Sequence, residues 1–91
     1  METCRIPNSL KRYRRLAGYS QKEVAQALGL KHTNYISRWE KGFNYPAIEY
    51  LFRLSFLYKT FPNHLYQELC QDWKEDSLHR EQTLLAQHEP Y

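Results

Sequence analysis

The sequence predicts an all-α protein of five helices around one small core. Three observations predict it. The chain is 91 residues long, which leaves room for a single domain. Apolar residues recur at helical spacing in five separate stretches. Ser, Asn, Gly and Pro punctuate those stretches where helices start and stop.

The first seven residues, METCRIP, have no periodicity and contain Pro7, so 1–7 reads as a flexible or extended arm. Helix one begins at Asn8 or Ser9, either of which can cap the free amides of a first turn. Leu10, Tyr13, Leu16 and Ala17 form its expected buried stripe, Lys11, Arg12 and Arg15 take the other sides, and Gly18 ends it. Ser20 and Glu23 have the spacing of a capping box, so helix two starts at Gln21, turns Val24, Ala25 and Leu28 inward, and stops at Gly29. After Leu30-Lys31-His32 a third helix runs from about Thr33 to Lys41, with Ile36 and Trp39 inward, and meets Gly42. Pro46 suits the first turn of helix four, which runs from about Ala47 to Tyr58 with Ile48, Leu51, Leu54 and Leu57 as its stripe. Pro62 opens a fifth helix carrying Leu65, Leu69 and Trp73 at i, i+4, i+8. The domain is thus expected over 8–73. The polar segment 74–91 is either an extension of the last helix or a frayed tail.

Charge is distributed unevenly. Residues 1–45 hold nine Lys/Arg against three Asp/Glu, whereas 46–91 hold four against seven. A basic half joined to an acidic half suggests that one face meets a polyanion and the other does something else. Cys4 and Cys70 form no CxxC pair and no signal peptide precedes them, so they read as reduced thiols of a cytoplasmic protein. No apolar run approaches the roughly 18 to 20 residues of a membrane span. His32, His64, His79 and His88 lack a His or Cys neighbour at ligand spacing. There is no nucleophile–base arrangement, Gly-rich phosphate loop or paired carboxylate, so neither metal, cofactor nor catalysis is expected.

The stretch Ser20 to Gly42 is the informative one. Ala25 sits where two helices cross closely, Gly29 lets the chain reverse, and Leu30, Ile36 and Trp39 pack back on Val24 and Leu28. Such a hairpin leaves the outer side of its second helix projecting, with its amino-terminal end free to enter a major groove. That side carries Thr33, Asn34, Ser37, Arg38 and Lys41. Asn suits the N6/N7 edge of adenine and Arg the O6/N7 edge of guanine, while Thr offers a hydroxyl or a methyl. Thr33, Asn34, Ser37 and Arg38 are therefore the candidate base readers. Gln21, Lys31, His32, Lys41, Arg12 and Arg15 are candidates for phosphate, which sets register without reading sequence.

From Leu10 to Tyr58 the chain resembles the Cro/phage-repressor type of helix-turn-helix domain, the XRE-like family. SQKEVA, ALG, ISRWEKG, the Pro after the loop and the leucine-spaced fourth helix carry the resemblance, which extends over about Ser9 to Leu69. It implies a lambda-repressor-like fold of five helices binding operator DNA, commonly as a dimer. It implies a phosphate contact for Gln21 and base contacts for Thr33, Asn34 and Arg38. It also implies an ion pair between Arg14 and Glu40, and the residues agree, since Arg14 falls beside a buried stripe and Glu40 follows Trp39. Five residues separate Leu30 from Ile36 where the family usually has four, which leaves open whether His32 or Thr33 caps the third helix.

The expected function is a sequence-specific regulator of transcription, a repressor by resemblance, bound to double-stranded DNA as a homodimer through Leu65, Leu69, Trp73 and Leu78. The alternative is an antitoxin or helical adaptor whose acidic carboxy-terminal region binds a partner protein.

Overall fold

A computed structural model describes residues 5–87. Cys4, His88 and the outer parts of the expected arm and tail lie outside these residues. Among the described residues there are six helices and no strand: α1 (Leu10–Ala17), α2 (Gln21–Ala27), α3 (Asn34–Lys41), α4 (Ile48–Leu57), α5 (Pro62–Leu65) and α6 (Gln67–Gln87).

The first four helices wrap one core. Leu10 of α1, Val24 and Ala25 of α2, Ile36 and Trp39 of α3, Leu54 of α4, then Tyr58, Leu65 and Tyr66 are all buried. Ala25 is the small residue that lets α2 and α3 approach, as the hairpin requires. The capping box of α2 is present in both directions: Glu23 N–H donates to Ser20 Oγ (3.1 Å) and Ser20 N–H to Glu23 Oε1 (2.9 Å). The bond from the Ser20 backbone N–H, and after it the Ser20 hydroxyl, favours the carboxylate and holds Glu23 below its usual pKa. Tilted rings of Trp39 and Tyr50, with centroids 5.7 Å apart, join α3 to α4.

The start of the domain is tied to the end of α3. Asn8 Oδ1 accepts from Leu10 N–H (3.1 Å), satisfying an orphan donor of α1. Its Nδ2 donates to the carbonyls of Ile6 (3.1 Å), Trp39 (3.2 Å) and Glu40 (3.3 Å). Ile6 N–H in turn donates to Gly42 O (2.9 Å), so the inner part of the arm is an extended segment packed on the domain. Gly42 has φ +79°, and a Cβ there would lie 2.5 Å from the Ile6 carbonyl oxygen, so any side chain at this position would push the segment away.

Several expectations are corrected. Leu16 (71% exposed) and Ile48 (72%) lie outside the core. A three-residue spacing drifts off a helix face, and the inward residues are Leu10, Tyr13, Arg14 and Ala17 on α1 and Leu51, Leu54, Ser55 and Tyr58 along α4. Pro46 is buried but precedes the α4 N-cap, Ala47, rather than occupying the first turn. The single fifth helix is two: Tyr66, at φ −129° and ψ 46°, leaves helical geometry between α5 and α6. The break lets Leu65 and Tyr66, neighbours in sequence, both turn into the core. Leu65 is fully buried within its own chain and has no face to offer a second copy. Beyond the break α6 runs without interruption through position 73, and no residue in it is buried. Cys70, in its second turn, is a half-buried free thiol.

A candidate nucleic-acid interface

The hairpin of α2 and α3 is aimed by a charge cluster at its base. Arg14 Nε donates to Glu40 Oε2 (2.6 Å) and Nη2 to Oε1 (3.2 Å), with the two side chains only 10% and 4% exposed. Arg14 Nη1 also donates to the Tyr19 carbonyl (2.9 Å) in the α1–α2 turn. Hydrogen bonding to Glu40 pushes the Arg14 pKa up, outweighing the burial that opposes it. Gln21 Nε2 donates to Glu40 Oε1 (3.0 Å), so Glu40 binds α1, the start of α2 and the end of α3 into one unit. The expected ion pair is therefore present, and Gln21 has a tie to it that sequence reasoning missed.

On α3 the two sides differ sharply. Ile36 and Trp39 are buried, whereas Asn34, Arg38 and Lys41 are exposed and Thr33 and Ser37 half-buried, so the five polar residues share the outward side. Thr33 occupies the N-cap at φ −82° and ψ −2°, and its hydroxyl caps no backbone amide. The helix begins one residue later than expected, at Asn34. Lys31 and His32 are exposed in the turn before it.

The remaining candidates fall into two groups. Arg12 and Arg15 line a shallow depression with Lys11 and Glu40, so α1's basic side is continuous with the Glu40 end of the hairpin rather than with Thr33 and Asn34. Trp73 and Leu78 are exposed on α6, 53% and 49%, while Leu69 is half-buried at its root.

Two contacts at the α3 carboxy-terminus were absent from the sequence reading. The Arg38 guanidinium lies over the ring of Phe43, 5.5 Å from its centroid, in the loop that follows α3. Asn8 fixes the other flank of the α3 carboxy-terminus. Neither has a local signal beyond an Asn before a helix and an aromatic after a Gly.

A family model described as helix-turn-helix, HTH_3, matches residues 10–58, from the first residue of α1 to the residue after α4 and over half of the chain. The chain belongs to the XRE-type helix-turn-helix family. An XRE-type domain is a DNA-binding module of transcription regulators, generally without enzymatic activity. Searches of curated proteins and of solved structures find no match. No helix of the XRE-type domain or its extension, among the described residues, is long and apolar enough to cross a membrane.

Proposed function

We propose that this chain is a sequence-specific repressor that reads the major groove of duplex DNA with α3. The observation that carries the reading is the division of α3: its inner side is core, and its outer side gathers Thr33, Asn34, Ser37 and Arg38, four side chains suited to base edges. The free Thr33 hydroxyl leaves that residue available as a reader beside Asn34. Gln21, at the amino-terminus of α2, keeps its carbonyl oxygen and second amide hydrogen beyond the Glu40 bond, and with Lys31, His32, Lys41, Arg12 and Arg15 it serves the phosphates. A cytoplasmic location follows from this reading.

Dimerisation is proposed through α6, using Trp73 and Leu78 with Leu69 at the root. It is supported by the length of helix that no core of this chain covers. Sedimentation equilibrium of the full chain, free and on DNA, tests it; a monomer in both states ends it. A second reading rests on the same helix. The exposed Glu68, Asp72, Glu75 and Asp76 give α6 an acidic surface that a basic protein partner, such as the toxin of a toxin–antitoxin pair, would engage.

Selection of bound duplexes from a randomised pool at two salt concentrations tests the main reading. The expected result is a defined sequence motif and a steep loss of affinity as salt rises from about 50 to 200 mM. Failure to retain any duplex refutes it in favour of the protein-binding reading.

A further inference from the structure

The ring of Phe43 holds a second guanidinium besides that of Arg38. Arg5 lies over it at 4.8 Å from the centroid, Arg38 at 5.5 Å. The meeting is built by the fold rather than by neighbours in sequence. Arg5 is carried there by the segment whose next residue, Ile6, is hydrogen-bonded to Gly42 (2.9 Å), and Asn8 clamps that segment to the last turn of α3. The bare Cα of Gly42 makes the approach possible.

Gathering two like charges at one exposed ring is unfavourable in isolation, and among the described residues neither arginine forms an ion pair with a carboxylate. A guanidinium carries five N–H donors, and with its Cζ 4.8 or 5.5 Å from the ring centroid each arginine keeps donors free for oxygen acceptors. Each arginine is thus a preorganised donor for an oxygen acceptor, at the carboxy-terminal end of the helix proposed to read bases.

We infer that Arg5 is a phosphate contact of the protein–DNA complex, and that Phe43 is a positioning residue which holds Arg5 on the backbone beside the base pair met by Arg38. This rests on the DNA-reading role proposed for α3. It adds to the interface a residue from outside the matched family region, which begins at residue 10.

The test measures full-chain binding, by fluorescence anisotropy across a salt series, to two probes: a duplex selected by the wild-type chain from a randomised pool, and a random-sequence duplex. Arg5→Ala is expected to weaken binding to both probes several-fold and to reduce the slope of log K against log salt by about 0.9, the share of one phosphate. Arg5→Lys is expected to keep the slope. Phe43→Leu is expected to weaken the selected duplex, Phe43→Tyr to restore it, and the Phe43→Leu effect to shrink when Arg5 is already Ala. An unchanged affinity and slope for Arg5→Ala, in a wild type that binds both probes, overturns the inference and leaves the α3 reading intact. Equal losses for Phe43→Leu with and without Arg5 overturn the positioning role. A wild type that binds neither probe overturns the underlying reading as well.

Discussion

Removing Glu40 is the most informative perturbation of the fold. Its carboxylate accepts three side-chain hydrogen bonds, two from Arg14 and one from Gln21, and is 4% exposed. In Glu40→Ala the Arg14 guanidinium keeps only the Tyr19 carbonyl, at 2.9 Å, and stays largely shielded from water. An uncompensated buried charge of this kind costs about 3–5 kcal/mol. A domain of this size has a total stability on the order of 5–14 kcal/mol, so the loss removes about a fifth of it or more. With a urea dependence of about 2 kcal/mol per molar, the unfolding midpoint followed by circular dichroism falls by about 2 M. Arg14→Met combined with Glu40→Leu keeps the volume and removes both charges, and is expected to recover most of the loss. The attraction is buried, so raising salt alters it little. A cost below about 1 kcal/mol for Glu40→Ala, or additive effects of Arg14→Ala and Glu40→Ala, refutes the view that the pair acts as a unit.

Other expectations concern the interface and two titrating groups. Asn34→Ala and Arg38→Ala should each relax preference at particular base pairs by about 1–3 kcal/mol of discrimination, whereas Lys41→Ala should weaken selected and random duplexes alike; competition binding with single-base variants separates the two patterns. Among the described residues the buried Tyr66 hydroxyl has no hydrogen-bond partner, so Tyr66→Phe should raise stability by about 1 kcal/mol at neutral pH, read from urea melts. Burial, with a contribution from Tyr45, pushes Tyr66 up to about 12. Its protonated form is favoured by folding, so that stability is complete below pH about 10 and lost as pH rises through the folded value. Tyr66→Phe should flatten this alkaline loss. Glu23 titrates in the opposite sense: its depressed pKa gives stability present above the unfolded carboxylate value of 4.5 and lost as pH falls through the folded one. Ser20→Ala should make the acid limb of a pH–stability curve shallower; an unchanged limb would show that the capping box contributes nothing there.

The hairpin was legible because its signals are local. Ser20 with Glu23, the small Ala25, Gly29 and the inward pair Ile36 and Trp39 each specify geometry within a few residues of themselves. The Arg14–Glu40 pair was implied by the family resemblance, and the two faces it joins agreed. What escaped was tertiary. Nothing around Tyr66 carries a Gly or Pro to announce a break, which exists because Leu65 and Tyr66 both bury. Ile48 and Leu16 fit a stripe by composition, but the core turned a neighbouring face of each helix toward itself. Asn8, Phe43 and Arg5 gain their roles from contacts some 30 residues or more away along the chain, or from a ring shared in space. On the candidate site, sequence identified the outward residues of α3; it gave no hint that Gln21 is tied to Glu40 or that the Thr33 hydroxyl caps nothing.

The break at Tyr66 has a mechanical consequence. At 1.5 Å per residue the 21 residues of α6 span about 31 Å, and none of them is buried in the domain. The helix projects as a lever arm from the turn after one non-helical residue, with Leu69 and Cys70 packed against the core at its root. A rotation of about 10° there sweeps the far end through about 5 Å, more than the roughly 3.4 Å rise of one base pair. Two copies joined along such levers would meet half-sites at more than one spacing, with the reading heads themselves unchanged.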